Sequence, residues 1–198
     1  MAVIDKETAY KEVAETGREL LSLGLVARTW GNISAREDDT HFLITPSGLD
    51  YVGMTEDDIV SVDMTTGEYE GIHKPSGEKG VHKAAYESLR DVNFVIHTHQ
   101  TYATALGLAG FDNMDITSEE ISELGGIAIA EYGLPGMKKL SEAVKKEIVK
   151  GAHVILMVHH GALVCGRDKE EAMKRVNLLE KICKRNVRGQ GGSKYIKM

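Results

Sequence analysis

The sequence predicts an α/β (α+β) fold in one domain, with a mixed, largely antiparallel central sheet flanked by helices. Helical and strand patterns alternate along all 198 residues, which is typical of a mixed fold. Short strands separated by turn residues predict hairpins, and hairpins pair their strands in antiparallel fashion. Repeats, low-complexity tracts and linkers are absent from the sequence, so we expect a single domain over residues 1–198.

The N-terminal part predicts one helix followed by two strand pairs. The helix is predicted to end near Gly24, and its apolar stripe has helical spacing: Tyr10, Val13, Ala14, Gly17, Leu20 and Leu21. Strands at 32–36 and 42–44 flank an acidic turn, and strands at 59–64 and 68–72 flank Thr65-Thr66-Gly67.

The rest of the chain alternates strands and helices. Three segments are predicted to be strands: 94–97, 127–131 and 154–158. The last of them is apolar on both faces, as expected inside a sheet. Three segments are predicted to be helices: about 78–89, 99–108 and 138–150. A final helix begins after Asp168, a good N-cap residue.

Composition excludes several classes of function. The formal net charge is −6, whereas nucleic acids and anionic membranes attract basic faces, so we expect neither as a partner. No stretch of the sequence reaches the roughly 18 apolar residues that cross a bilayer. The N-terminal segment is charged throughout and lacks the apolar core of a signal peptide. We therefore expect a cytoplasmic protein whose two cysteines, Cys165 and Cys183, are reduced.

Three of the eight histidines follow apolar segments and are candidate metal ligands. His97 and His99 are two residues apart at a strand end, so their rings lie on one face. His160 is predicted to end a second apolar strand, at 154–160, and precedes Gly161. Three neutral imidazoles with an open fourth position describe a catalytic zinc site, whereas structural sites have four protein ligands. Considered alone, a His-x-His pair is as consistent with a core position as with a metal site.

Glu78 lies at the start of a predicted helix, in Lys74-Pro75-Ser76-Gly77-Glu78. In the local interpretation Ser76 caps the helix and Glu78 interacts favourably with the helix dipole. A compatible interpretation is that the helix end binds an anion and Glu78 serves as a base. His82, one turn later, either packs in the core or supports Glu78, and His159 is predicted to be a core histidine.

Three loops of small and polar residues predict a site for a phosphate group. They are Thr29-Trp30-Gly31-Asn32-Ile33-Ser34, Thr45-Pro46-Ser47-Gly48 and the segment before Glu78. Each loop by itself is equally consistent with a simple turn. Together with the histidines they indicate a phosphorylated substrate beside a metal ion.

Five motifs, in this order, resemble those of the class II aldolase/adducin family: Gly31-Asn32-Ile33-Ser34, Ile44-Thr45-Pro46-Ser47-Gly48, Lys74-Pro75-Ser76-Gly77-Glu78, His97-Thr98-His99 and His159-His160-Gly161. The resemblance covers nearly the whole chain, and it is more specific for the family than for one substrate. It implies a mixed sheet flanked by helices. It also implies a homotetramer with fourfold symmetry and active sites at the subunit interfaces.

The resemblance also implies roles for individual residues. His97, His99 and His160 would bind one Zn²⁺ per subunit, or another divalent metal, and Glu78 would join this site as the catalytic acid/base. The phosphate of a small sugar substrate would be held by Gly31, Asn32, Ser47, Gly48, Ser76 and Gly77.

The chain departs from the family pattern at two positions. Gly77 stands where the family's aldolases commonly have a second Ser, which removes one hydroxyl from the phosphate site. Where an aldolase of this family presents a proton-donating Tyr from a neighbouring subunit, this chain has Glu119, with Glu120 beside it. These two carboxyls are therefore the predicted proton donors, although a carboxyl differs from Tyr in pKa and reach. Tyr195 is the counterpart of an aromatic residue in the tail that helps to close the site.

The activity that the resemblance implies is cleavage of a ketose 1-phosphate by a zinc-dependent aldolase. L-fuculose 1-phosphate or a related deoxy-pentulose 1-phosphate would give dihydroxyacetone phosphate and a short aldehyde such as L-lactaldehyde. Two activities of the same family remain as alternatives. L-ribulose-5-phosphate 4-epimerases characteristically have Asp at the position of Glu78, and methylthioribulose-1-phosphate dehydratases use a Glu near positions 119–120.

A decarboxylase or lyase of sugar acids on the same scaffold is a further alternative. The alternative from another class is a non-catalytic interaction domain, as in adducin. In such a domain the three histidines and Glu78 would have no role, and their presence here favours an enzyme.

Overall fold

One mixed sheet forms the centre of the molecule. The computed structural model describes residues 5–109 and 114–189. Eight strands are found in these ranges: β1 (Asn32–Arg36), β2 (His41–Ile44), β3 (Val60–Asp63), β4 (Tyr69–Glu70), β5 (Phe94–Thr98), β6 (Ile127–Ala130), β7 (Val154–Met157) and β8 (Gly161–Gly166). Their order in the sheet is β4-β3-β2-β1-β5-β8-β7-β6. Neighbouring strands are antiparallel except β6 and β7, which are parallel. The predicted fold class is confirmed.

Helices cover both faces of the sheet. The described ranges contain six α-helices: α1 (Lys6–Ser22), α2 (Lys79–Ser88), α3 (Thr101–Ala109), α4 (Ser118–Leu124), α5 (Lys138–Ile148) and α6 (Lys169–Gly189). A 3₁₀ turn spans Glu56–Asp58. Helices α1, α3 and α6 pack with one apolar cluster, and α2 and α5 pack with a second on the opposite face. None of these helices combines the length and the apolar character that crossing a bilayer requires.

The alternation of side chains along the central strands separates the two faces. In β5, Phe94 and Ile96 join the cluster of α1, α3 and α6, whereas Val95 joins that of α2 and α5. His97 therefore points to the α2 side, because side chains alternate along a strand. In β1, Ser34 lies on this same side and contacts α2 through His82. The strand alternation thus places His97 on the face of the sheet where α2 begins.

Capping residues explain where several helices begin. The side chain of Asp5 accepts a hydrogen bond from the Thr8 N–H at 3.2 Å, and that of Asp168 accepts one from the Glu171 N–H at 2.8 Å. The predicted N-cap of the last helix is confirmed. Helix α4 was not predicted, although Thr117 and Glu120 form a capping box at its start, a pattern that is visible in a sequence.

The segment around His160 differs most from the sequence prediction. Strand β7 ends at Met157 and the unpredicted β8 begins at Gly161, so His160 lies in the turn between two strands and does not end a strand. The turn contains His159 in a left-handed conformation, with φ 58°. His159 is exposed and is not a core histidine as predicted. A reversal without Gly, Pro or Asn at its centre has no common sequence signature.

Candidate metal centre

Four side chains from three parts of the chain meet at one end of the sheet. His97 lies in β5, where its backbone pairs with Asn32 of β1 and Leu163 of β8. His99 follows the same strand, and His160 lies in the turn before β8. Glu78 directly precedes α2. The predicted ligand residues are thus brought together, together with the predicted acid/base.

A short backbone contact fixes the segment that carries Glu78. Pro46 and Pro75 form an isolated antiparallel bridge. The Ser47 N–H donates to the Lys74 carbonyl at 2.9 Å, and the Ser76 N–H donates to the Thr45 carbonyl at 3.1 Å. Two of the three loops predicted from sequence are therefore held side by side. The Ser76 hydroxyl accepts from the Glu78 N–H at 3.2 Å, so it orders the residue that precedes the helix.

The four side chains are close enough to share one ion. Their donor atoms all lie within 4.8 Å of one another. The Nε2 atoms of His97 and His99 are 3.0 Å apart, and the Glu78 oxygens lie 3.1 Å from Nε2 of His97 and 3.1 Å from Nε2 of His160. Bonds of the usual length to a tetrahedral zinc ion would place the ligand atoms roughly 3.3 Å apart. A small rearrangement would give that geometry.

The chemistry of these donor atoms fits a cation. Nδ1 of His97 donates to the Ala162 carbonyl at 2.9 Å, so in the neutral form that a metal ion requires, Nε2 would present its lone pair to the other ligand atoms. In the described part of the chain, Oε1 of Glu78 is buried and has no hydrogen-bond partner of acceptable geometry. With the imidazoles neutral and the carboxylate ionised, the converging lone pairs would repel each other, and an unpaired buried carboxylate oxygen would be costly. A divalent ion would relieve both.

The protonation states also suit metal binding. Burial opposes ionisation of Glu78 most strongly, but attraction to His160 and His97 outweighs it, so the pKa of the carboxyl lies well below its usual range. Burial, followed by the neighbouring His97 and His160, lowers the pKa of His99 to about 3. Metal ligands must be ionised carboxylates or neutral imidazoles. The side chains of Glu78 and His99 are in those forms at neutral pH.

The cluster opens into a groove of about 620 Å³. All six residues that the sequence predicts for phosphate binding line this groove: Gly31, Asn32, Ser47, Gly48, Ser76 and Gly77. Trp30, 58% exposed, and His159 complete its wall near the histidines. Pro135 and Gly136 also line the groove, and the sequence gives no signal that would assign them to it. A groove with these polar groups, beside four side chains that could hold a metal ion, can bind an anionic, oxygen-rich ligand.

Asn32 has a more specific position than the sequence suggested. Its side chain is buried, and its Nδ2 donates to Oε2 of Glu78 at 3.1 Å. The amide oxygen contacts Nε2 of His82 at 2.5 Å. One N–H and the oxygen of the side chain are therefore paired with protein groups, and the phosphate-binding role predicted for Asn32 is left to its second N–H and its backbone.

Two glycines allow the backbone to pack closely behind the metal site. Gly31 has φ 86°, and a β-carbon there would lie 2.7 Å from the His97 carbonyl oxygen. A β-carbon at Gly161 would lie 2.2 Å from the carbonyl oxygen of Thr98. Larger residues at either position would displace the strand that carries His97.

The predicted proton donors lie elsewhere on this subunit. Glu119 is exposed at the start of α4. Glu120 is paired with Arg185, with two contacts of 2.8 Å, and this pairing lowers its pKa to about 2. Neither residue lines the groove of its own chain, so both remain predictions that depend on a neighbouring subunit. Tyr195, predicted to close the site, lies outside the described residues.

Comparison with known proteins points to one family. The model of the family described as Class II Aldolase and Adducin N-terminal domain matches residues 11–187. The L-fuculose phosphate aldolase of Escherichia coli (strain K12) is 34% identical over 172 residues, which are 86% of this chain and 78% of that protein.

Solved structures agree with the sequence comparison. A structure of L-fuculose 1-phosphate aldolase superposes with a TM-score of 0.86 at 27% identity, covering 99% of this chain and 92% of that one. A sugar-phosphate aldolase from Thermotoga maritima has the same fold, with a TM-score of 0.80 at 22% identity, covering 94% and 97% of the two chains.

Proposed function

The chain belongs to the class II aldolase and adducin family, and from this premise we propose that it is a zinc-dependent aldolase of a ketose 1-phosphate. The proposed substrate is L-fuculose 1-phosphate or a related deoxy-pentulose 1-phosphate. Its products would be dihydroxyacetone phosphate and a short aldehyde such as L-lactaldehyde. The observation that carries the proposal is the cluster of Glu78, His97, His99 and His160 at one end of a groove lined by every predicted phosphate-binding residue.

The three histidines and Glu78 would hold the metal ion, and the donor set of imidazoles and one carboxylate suits zinc. When bound, the ion would supply a Lewis acid that stabilises the negative charge developing on the substrate oxygens as the C3–C4 bond breaks. The His97–Ala162 hydrogen bond keeps the His97 ring in the tautomer that binding requires.

Protons must move at two places during cleavage. The hydroxyl at C4 loses its proton as the aldehyde forms, and C3 gains one as dihydroxyacetone phosphate is completed. We assign the proton at carbon to Glu78, because its carboxylate lies beside the histidines and borders the groove. The proton at oxygen is assigned to Glu119 or Glu120 of a neighbouring subunit, which requires the proposed homotetramer with interfacial sites.

Neutral donors would hold the phosphate. Within the described ranges no Lys or Arg lines the groove. The hydroxyls of Ser47 and Ser76 remain, together with the backbone N–H groups of the glycine-containing loops. Such loops bind phosphate through converging N–H groups, and a divalent ion would add positive charge nearby. Gly77 contributes no hydroxyl, so we expect weaker phosphate binding than in a relative with Ser at this position.

The test is a coupled assay for release of dihydroxyacetone phosphate. Enzyme treated with EDTA is assayed with and without added zinc, on L-fuculose 1-phosphate and on a series of pentulose 1-phosphates. We expect release of dihydroxyacetone phosphate that depends on zinc. The relative rates would show which substrate, and so which aldehyde product, the enzyme prefers. Glu78→Gln is expected to retain metal and lose activity, whereas full activity of this variant would contradict the role of Glu78.

Other outcomes distinguish the alternatives. No release from any substrate, with about one metal bound per subunit, would exclude the aldolase and favour an epimerase or dehydratase. No metal in protein purified without chelator would instead favour a non-catalytic, adducin-like domain. Molar mass from light scattering tests the homotetramer, and a monomer would exclude an interfacial site.

A further inference from the structure

A chain of buried hydrogen bonds leads from the core to Glu78. Tyr86 Oη lies 2.6 Å from Ser34 Oγ, and Ser34 Oγ lies 2.6 Å from Nδ1 of His82. His82 Nε2 lies 2.5 Å from Oδ1 of Asn32, whose Nδ2 is 3.1 Å from Oε2 of Glu78. His82 is fully buried, and the link joins α2 to β1 across the face of the sheet.

The chemistry of Glu78 determines the donor in each of these bonds. An ionised carboxylate only accepts, so Asn32 must present its NH₂ group and turn its oxygen toward His82. His82 Nε2 must then carry a hydrogen. Burial lowers the pKa of His82 to about 3, so the ring is neutral and its Nδ1 accepts from the Ser34 hydroxyl. Ser34 in turn accepts from the hydroxyl of Tyr86, which burial keeps protonated by raising its pKa.

We propose that His82 is a positioning residue for Glu78: in its Nε2–H tautomer it holds the Asn32 amide with its NH₂ toward Oε2 of Glu78. Rotation of the amide by 180° would then place its NH₂ group against the Nε2–H of His82 and its oxygen against the carboxylate. Oε2 is kept as an acceptor, and Oε1, which faces His160, is left for the chemistry of the site. The consequence for catalysis rests on the proposed function, but the tautomer and the amide orientation do not.

The chain is directional from end to end, which distinguishes it from a set of independently satisfied core groups. If His82 carried its hydrogen on Nδ1, the Ser34 hydroxyl could accept it and donate to Tyr86, but the lone pair of Nε2 would face the Asn32 oxygen. The cost of a mismatched polar group is high in a buried site. Asn32, oriented by the Glu78 carboxylate, is therefore the group that selects the tautomer of His82, and His82 in that tautomer holds the amide in place.

The first experiment measures the tautomer directly. Two-bond ¹H–¹⁵N correlation spectra of ¹⁵N-histidine-labelled protein at pH 7, with zinc bound, distinguish Nε2–H from Nδ1–H imidazole. We expect His82 to be the neutral Nε2–H form. In Asn32→Ala, which removes the acceptor of the Nε2–H group, we expect a mixture of tautomers. A neutral Nδ1–H ring or an imidazolium in the wild-type protein would overturn the proposal, whether or not the protein is an aldolase.

The second experiment separates positioning from folding. His82→Leu removes the donor to Asn32 and is expected to lower kcat by about 10- to 100-fold, with KM changed much less. His82→Gln keeps an N–H donor for Asn32 and is expected to restore most of the activity. Val144→Ala serves as a control for destabilisation. It truncates a side chain of α5 in the apolar cluster between α2, α5 and the sheet, and it is expected to leave kcat unchanged.

A double-mutant cycle tests whether His82 acts through Glu78. In a Glu78→Gln background, His82→Leu should lower the residual rate by less than about twofold, because the group it positions has been removed. An equal loss of kcat in both backgrounds, or no rescue by His82→Gln, would overturn the proposal. If His82→Leu fails to fold, His82→Met, which also lacks a donor to Asn32, takes its place in the cycle. If the wild-type protein releases no dihydroxyacetone phosphate, the proposed function fails, and the tautomer spectra still decide the role of His82.

Discussion

Gly161 offers a direct test of how the sheet positions the metal site. It begins β8 immediately after His160. A β-carbon at this position would lie 2.2 Å from the carbonyl oxygen of Thr98 and 3.3 Å from Cε1 of His97. Real β-carbons essentially never approach within 3.0 Å. Gly161→Ala must therefore move β8 away from β5 by about 0.8 Å, because a close-packed interior has no free space to absorb the contact.

This displacement should affect both the fold and metal binding. Overpacking of this kind typically costs about 1–3 kcal/mol of unfolding free energy, which lowers Tm by roughly 2–12 °C in a chain of this length. The same movement separates His160 from His97. Displacements approaching 1 Å cost about 10²-fold in processes that depend on exact geometry. We therefore expect a loss of zinc affinity of about 10- to 100-fold.

Competition with a chromophoric chelator measures the affinity, and circular dichroism measures Tm. Gly53→Ala is the matched control: it adds the same methyl group, and a β-carbon there would meet nothing within 4 Å. We expect Gly53→Ala to bind zinc as the wild-type protein does. Wild-type affinity and Tm in Gly161→Ala would refute the argument that the β5–β8 spacing sets the geometry of the site.

Three further predictions concern single side chains. His99→Ala should lower zinc affinity by about 10²-fold or more. The affinity is read from the fluorescence of Trp30, the only tryptophan in the sequence, whose ring centroid lies 5.8 Å from that of His99. An unchanged titration would contradict His99 as a ligand. Gly31→Ala introduces a side chain at φ 86° and should cost about 1–3 kcal/mol in urea unfolding; an unchanged midpoint would show that the loop can relax. A hydrogen bond from Arg185 is the main cause that lowers the pKa of Glu120 to about 2. Ionised Glu120 therefore stabilises the fold at pH values above the pKa that this carboxyl has in the unfolded chain. The contribution is lost as the pH falls toward 2. Glu120→Gln should thus be less stable than the wild-type protein at pH 7 and should converge with it near pH 2; equal stability at pH 7 would exclude this role.

The elements that could be predicted are those with a strong local pattern. Strand β1 (Asn32–Arg36) has the predicted bounds, and the apolar stripe of α1 and the Asp168 cap of α6 are confirmed. Strand β8 was missed because its apolar residues follow those of β7 and the turn between them contains no typical turn residue. Helix α4 was missed although its capping box is readable in the sequence. One miss thus reflects an absent signal, and the other reflects a signal that was not used.

The candidate site shows the same division. The residue types and the i, i+2 spacing of His97 and His99 identify a metal-binding pattern, because ligand chemistry depends on side-chain identity. The prediction for His159 was wrong, since an apolar neighbourhood in sequence does not decide whether a turn residue is buried. His82 was noted as a support for Glu78 or a core residue, and the link through Asn32 was not foreseen. That link joins two residues 50 positions apart in the chain, through Nε2 of His82 and Oδ1 of Asn32.

The sequence by itself determined the fold class, the family and the identity of the groups that converge on the metal site. These follow from side-chain chemistry, strand and helix periodicity and short motifs, all of which are local in the chain. Only the tertiary structure decided that Glu78 lies 3.1 Å from two of the histidines, that Asn32 is committed to Glu78, and that Glu120 is paired with Arg185. Such distances depend on strand register and on how α2 and α6 pack against the sheet, and these arrangements result from the competition of many weak contacts across the whole core.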